Sequence, residues 1–315
     1  MYVTITAAVC LTFAVIAPAA ARTYDTDFCN KTYCEGGDVH TMCKFPDMTP
    51  GSECYKIYST PLTDSEIEEL LEIHNMKREY VASGKETNSK GGPLPMAADM
   101  GVLTWDDEIA KIAQRWALQC TVGHDDCRDL RTMAVGQNVA LRSYDPRDPD
   151  RKARPNMTDM PLILYAELEF FEPKHVKDFT LGNYHEYGHL VQWLWSRTYK
   201  LGCGYSSYAS YASFWSTSPE WYRELLICNY GPSGNYNDEY TYLEGPPCSK
   251  CPEGTTCGGD SRYPSLCSAD NGDVPESVKL GIGYFVYESS ARALLPAQTC
   301  SGVLLAAAAV ARALS

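Results

Sequence analysis

The chain of 315 residues carries 27 Lys and Arg against 40 Asp and Glu, a net charge of −13, with a pI near 4.9. It is long enough for one large domain with appendages or for two domains. The acidic balance argues against nucleic acid, whose phosphates need a basic face, and against electrostatic docking onto anionic lipid.

Val9 to Ala17 reads as the apolar core of a secretion signal and Ala19-Ala20-Ala21 as its cleavage site. Residues 1–21 are therefore expected to be a signal peptide, with Arg22 the mature start and the protein extracellular. The 14 cysteines agree with this: Cys10 leaves with the signal, twelve lie from Cys29 to Cys267, and Cys300 stands apart. An even set in an oxidising compartment predicts disulfides. The sequons Asn30-Lys31-Thr32 and Asn156-Met157-Thr158 predict glycosylation of Asn30 and Asn156 on exposed loops.

Residues 22–62 form a Cys-rich extension without periodicity. It is too polar to build a core of its own, so disulfides to the main body should hold it. A helix opens at Thr63, which makes a capping box with Glu66. Ile67, Leu70, Leu71 and His74 then recur at i, i+3, i+4 and i+7, and Gly84 ends it. A second helix starts near Asp106, with Thr104 as its expected cap and acids in its first turn. Its stripe is Ile109, Ile112, Ala113 and Trp116, extended by Cys120, from which a disulfide can pin something to the helix end. Asp145 to Asn156 is a charged, Pro-rich loop, and a third helix is expected from Pro161 to Phe171. Lys200 to Tyr211 and Glu220 to Tyr230 read as strands, with Cys203 and Cys228 placed to bridge them. The Ser/Tyr-rich stretch that joins them, with Tyr205, Tyr208, Tyr211 and Phe214 three apart, reads as a long hairpin tip. From Cys248 to Cys267 the spacing C-x2-C-x5-C-x9-C, with no His among these residues, predicts a two-disulfide knot rather than a zinc site. After Val286 come Ser289-Ser290-Ala291, a spacer and the Ala/Leu-rich run Val303 to Leu314. That is the outline of a GPI-anchor signal, in a run too short to span a bilayer.

The stretch Tyr184 to Trp195, YHEYGHLVQWLW, has two frames. His185, Glu186 and His189 spell the H-E-x-x-H of zinc peptidases, which needs both His on one helix face, the Glu as base and a third ligand downstream. Gly182, Asn183 and Gly188 crowd that helix, and Gln192 and Trp195 break the extended metzincin form. No His follows His189, so Glu220 or Glu224 would have to be the third ligand. In the other frame Gly188-His189 leads through Gln192 and Trp195 to Gly202-Cys203-Gly204, and residues 225–235 read LLICNYGPSGN. With His74-Asn75-x-x-Arg78 and Gly136-Gln137-Asn138-Val139, these motifs resemble the signatures of the CAP superfamily: cysteine-rich secretory proteins, antigen 5 and plant pathogenesis-related 1 proteins. Leu190 departs from the common form, which has an aromatic after the motif His. GGDVHTMCKFPD (36–47), CTVGHDDCRDL (120–130) and VGQNVAL (135–141) narrow the resemblance to the arthropod antigen 5, or venom allergen 5, branch. It covers roughly residues 29–270.

The resemblance implies an α/β fold, an α-β-α sandwich around a central antiparallel sheet. It places a CAP domain at 63–242, a Cys-rich hinge at 243–270 and a tail at 271–315. It suggests the pairs Cys29–Cys43, Cys34–Cys127, Cys54–Cys120 and Cys203–Cys228, with Cys248–Cys257 and Cys251–Cys267 in the hinge. It also implies a cleft of two His and two acids. Carried over by position these are His124, His189 and Glu167, with Gln137 in place of the second acid. An amide takes no proton near neutral pH and is a poor metal ligand. His124 and His189, with Glu167, are then a candidate set for weakly held Zn²⁺ or Cu²⁺, no cofactor being required. The reading set against it is a hydrogen-bonded cluster that only orders the cleft. His185 is expected to be exposed and His74 structural. No G-x-S-x-G or other nucleophile constellation stands out. The functional expectation is a secreted, non-enzymatic binding scaffold for a partner protein, a channel or a small apolar ligand such as a sterol or fatty acid, as in venom or saliva. The alternative is a metal-dependent enzyme, a peptidase or redox scavenger, working through the His/Glu cleft. Membrane contact is expected only through a GPI anchor.

Overall fold

The computed structural model describes residues 27–29, 33–34, 36–145, 156–210 and 221–269. The signal peptide, Asn30, Tyr211, Phe214, Glu220, Cys300 and the tail lie outside the described residues. Helix α1 (Thr41–Lys44) and strand β1 (Lys56–Ser59) precede Thr63. Helix α2 (Asp64–Ala82) begins at Thr63, whose hydroxyl accepts the Glu66 N–H while the Glu66 carboxylate accepts from the Thr63 backbone. Gly84, at φ 73°, turns the chain out at its end.

Two helix boundaries differ from expectation. Helix α3 (Asp107–Ala117) is capped by Asp106, whose carboxylate takes the N–H groups of Glu108 and Ile109. Thr104, the expected cap, instead lies in β2 (Thr104–Trp105), paired in parallel with Lys200 and Leu201. Two cap-type residues stand two apart, and the sheet takes the first. Helix α4 (Asp159–Tyr165) starts before Pro161, which sits in the first turn where its missing N–H has no bond to lose. The chain then tightens into a 3-10 turn over Ala166–Glu169, so the helix does not run on to Phe171.

Strands β3 (Gly136–Tyr144), β4 (Lys200–Ser210) and β5 (Trp221–Gly231) build the sheet, in the order β1-β4-β5-β3, with β2 beside β4. The β4–β5 register runs from Lys200 opposite Gly231 to Ser210 opposite Trp221, which sets Cys203 directly against Cys228. On one face Ala113, Trp116 and Ala117 of α3 pack on Tyr208, Leu225 and Ile227. On the other, Leu70 of α2 and Met160 of α4 pack on Leu201, Tyr205, Leu226 and Tyr230. Helix α5 (Tyr184–Leu194) adds Trp193 and Leu194 to a further cluster with Val81, Phe171 and Phe179. The result is an α-β-α sandwich. Gly204 lets α3 lie directly on β4, since a Cβ there would stand 2.2 Å from Gln114 N.

The disulfides are Cys29–Cys43, Cys34–Cys127, Cys54–Cys120, Cys203–Cys228, Cys248–Cys257 and Cys251–Cys267. The segment from Cys248 to Ser268, with β6 (Thr256–Cys257) and β7 (Cys267–Ser268), is hydrogen-bonded to the rest of the chain. Cys267 N donates to Met100 O, Val102 N to Cys267 O, and Ser265 N to the Glu79 carboxylate. Among the described residues no helix is long and apolar enough to cross a membrane. Asn156 is exposed just before α4.

Candidate functional site

His124 sits in the loop between α3 and β3, flanked by the bridged Cys120 and Cys127. The Trp116 indole N–H donates to Gly123 O at 2.8 Å. The next residue, Asp125, is 5% exposed and anchors the loop. Its carboxylate accepts from the Thr41 hydroxyl, from Arg128 Nε at 2.5 Å and from Gln137 Nε2 at 3.0 Å. Gln137 is the second residue of β3, opposite Asn229 of β5, and its Nε2 also donates to Asn229 Oδ1 at 3.0 Å.

These partners fix the chemistry of His124. Asp125 can only accept, so the amide turns its nitrogen inward and presents Oε1 to His124 Nδ1 at 2.9 Å. His124 therefore carries its proton on Nδ1, and Nε2 holds the lone pair. The Tyr184 hydroxyl donates to that Nε2 at 3.2 Å. Burial holds the His124 pKa below its ordinary value, against the raising effect of the Gln137 bond. The ring is neutral near pH 7.

His189 reaches the same cleft from α5, near enough that its charge would disfavour one on His124. Its Nδ1 donates to Glu167 Oε1 at 2.5 Å, while Glu167 Oε2 accepts the Leu190 N–H at 3.0 Å. The second bond has a structural reason. Helix α5 breaks at Tyr187 (φ −149°, ψ 20°), and Glu167 caps the turn that restarts beyond it. Asn138 Nδ2 holds His189 O, and Asn235 Nδ2 holds Gly188 O. A Cβ on Gly188 would lie 2.7 Å from the Tyr184 ring, so glycine there lets Tyr184 reach His124.

The kink disposes of the other frame of this segment. His185 and Glu186 are exposed, and His185 meets the edge of Tyr184 rather than the cleft. Glu224 lies five residues along β5 from Asn229, about 17 Å at strand rise, so it is no third ligand. His74 is fully buried between Leu70 O at 2.6 Å and the Tyr230 hydroxyl at 2.9 Å, stacked on Trp193. Among the described residues, Cys248, Cys251 and Cys267 are the only three metal-binding side chains with donor atoms all within 4.8 Å of one another. All three are in disulfides.

The profile of the cysteine-rich secretory protein family, or CAP, matches residues 71–230, which span His124, Gln137, Glu167 and His189. The chain belongs to this family. It is similar to a venom allergen 3 homolog of Dinoponera quadriceps, 39% identical over 72% of this chain and 94% of that one. It is similar also to venom allergen 5 of Vespula pensylvanica, 38% identical over 67% of this chain and 97% of the relative. These relatives place it in the antigen 5-like branch of the CAP family. Among solved structures, it resembles Na-ASP-1 with a TM-score of 0.52 and 29% identity, covering 70% of this chain and 50% of that one. It resembles NaASP2, solved with Zn²⁺, with a TM-score of 0.51 and 26% identity, covering 70% of this chain and 100% of that one.

Sequence reading missed Tyr184, Asp125 and Asn229 as members of this CAP cleft. Asp125 and Asn229 stand beside motif residues, but only the fold points them at Gln137. Tyr184 opens the H-E-x-x-H stretch and was hidden by it.

Proposed function

We propose that this protein is a secreted, disulfide-stabilised binding protein of the antigen 5 type, and that its cleft orders the recognition surface rather than performing chemistry. The mature chain runs from Arg22, with the CAP domain over 63–242 and the Cys-rich hinge over 243–270. Its partner is a protein or a small apolar ligand. Attachment to a membrane would come only through exchange of the 271–315 tail for a GPI anchor, which the mass of the mature C-terminus reads directly.

One observation carries this reading: the polar atoms of Gln137 and Glu167 are already bonded within the protein. The position that would hold the cleft's second acid is a neutral amide. Among the described residues no hydroxyl or thiol is bonded to His189, so the Glu167–His189 pair orients an imidazole without a nucleophile to activate.

The alternative rests on the same bonds. Both imidazoles have Nδ1 tied, to Gln137 and to Glu167, which is the arrangement that presents Nε2 to a metal. His124 and His189 would be the ligands, Tyr184 would have to release His124, and water would fill the remaining positions. Zinc there would supply a Lewis acid, and NaASP2 was solved with zinc.

The test compares the secreted protein with its His124→Ala/His189→Ala variant. Native mass spectrometry reads a co-purifying ligand, and a broad peptide library with and without chelator reads cleavage. The expected result is the same ligand retained by both proteins and no cleavage by either. Cleavage that needs zinc and disappears in the double variant would establish the enzyme instead.

A further inference from the structure

A buried carboxylate on β5 takes no part in the cleft. We propose that Glu224, Ser207 and the tyrosines around them form a second binding site, for a small molecule bearing a protonated amine.

Antiparallel pairing puts directly opposed residues on one face of a sheet. Arg142, Glu224 and Ser207 are opposed in this way, with Ser59 of β1 next in the row. Two residues toward the hairpin end the same face carries Tyr144 and Tyr222, and two residues the other way it carries Tyr205. The Tyr222 ring lies 5.3 Å from that of Tyr58 and 6.0 Å from that of Tyr144. The Tyr205 hydroxyl donates to Glu224 Oε1 at 3.4 Å.

Glu224 is 1% exposed and Ser207 fully buried. Yet Glu224 Oε2 and Ser207 Oγ, on opposed residues of neighbouring strands, have no hydrogen-bond partner among the described residues. A buried polar atom left bare is uncompensated desolvation, and two on opposed residues of one sheet face point to a missing donor. Burial raises the Glu224 pKa, against bonds from Tyr144, Tyr205 and Tyr222 and the charge of Arg142. Arg142 eases the charge without reaching Oε2.

The walls select the donor. Glu224 repels an anion. A hard metal ion favours several carboxylate or carbonyl oxygens, and Glu224 is the one carboxylate in this row. An ammonium can donate to Oε2 and Oγ together while its remaining surface rests on tyrosine rings. The protein's own Lys56 ammonium already lies 5.1 Å over the Tyr58 ring. Tyr58, 42% exposed, and the half-buried Tyr144 form the open side.

Isothermal titration calorimetry tests this with phenethylamine and with 2-phenylethanol, which lacks the ammonium. The amine is expected to bind one to one, with the alcohol, and the amine on Glu224→Gln, weaker by about tenfold or more. Ser207→Ala should weaken the amine several-fold, and it carries the test if Glu224→Gln does not keep its circular dichroism spectrum. Equal binding of amine and alcohol, unchanged binding in these variants, or no amine heat at about 10 mM, the weak end of specific affinity, overturns the site. The site uses no cleft residue, so His124→Ala/His189→Ala should leave amine binding unaltered. Failure here leaves the proposed binding role of the protein standing, and failure of that role leaves this site standing.

Discussion

Gln137 donates to Asp125 and Asn229 through one nitrogen and accepts from His124 through its oxygen. Gln137→Glu would replace that donor with a second acceptor, a hydrogen-bond length from the Asp125 carboxylate. Two buried carboxylates so placed cannot both stay ionised. The variant is expected to lose about 1–3 kcal/mol at pH 7, and less at pH 5 as one carboxyl takes a proton, read from urea midpoints. An unchanged midpoint at pH 7 would mean that Arg128 already neutralises Asp125. His74 sets a second acid response. Burial depresses its pKa to about 3, with Arg78 also opposing its charge. Its unfolded value is near 6.5, so the unfolded chain binds the proton first. The stability His74 contributes is whole above about pH 6.5 and is lost as pH falls from there toward about 3, a total of several kcal/mol. Its ring signals in NMR should stay those of neutral imidazole down to about pH 4; titration near 6.5 would show that the buried contacts to Tyr230 and Leu70 open readily.

At the scale of elements, what could be read in advance was what repeats. Leu70 and His74 in α2, and Ile109, Ile112, Ala113 and Trp116 in α3, are buried at the spacing their periodicity required. Strand β1 escaped notice because its burial alternates only between exposed and half-buried. The α5 kink was equally hidden: Tyr187 leaves helical geometry because Glu167, Asn138 and Asn235 hold the turn after it, and those partners arrive from three other segments. The cleft shares that limit. His124 and His189 could be placed by resemblance, but the tautomer of His124 follows from Asp125 turning Gln137, a fact of packing alone. The α3–β4 contact gives a sharp test at this scale. A Cβ on Gly204 would meet Gln114 N at 2.2 Å and Gln114 Cα at 2.3 Å, and backbone cannot step aside as a side chain can. Gly204→Ala should therefore cost at least the ~1–3 kcal/mol typical of overpacking, seen as a lower melting temperature. Gly182→Ala, whose nearest contact is 3.9 Å away, is the control expected to show little change.

Across the whole molecule, stability is divided unevenly between the sandwich and the extension that wraps it. The sheet has the continuous β3–β5–β4 ladder and the Cys203–Cys228 bridge between adjacent strands. Apart from β1, which pairs with β4, the segment before Thr63 reaches the body by scattered ties, among them Thr41 N to Cys127 O, Gly51 N to Leu118 O, Phe28 in the cluster around Ile109, and Phe45 against Trp116. Its long-range bridges, Cys34–Cys127 and Cys54–Cys120, span 93 and 66 residues, and both land on the loop that carries His124. In the chain-entropy picture a loop of the larger size stabilises by roughly 4–5 kcal/mol. Cys34→Ser/Cys127→Ser is expected to lose part of that, and the loss should be local. Hydrogen exchange should quicken over 36–50 and 121–130 while β4 and β5 stay protected, because the sheet keeps its own ladder and bridge. The same loosening would free His124 from Gln137, so the cleft should lose order before the fold does. Exchange that rises uniformly through β4 and β5 would instead make the extension part of the one cooperative unit, its disulfides holding up the sheet as well as the site.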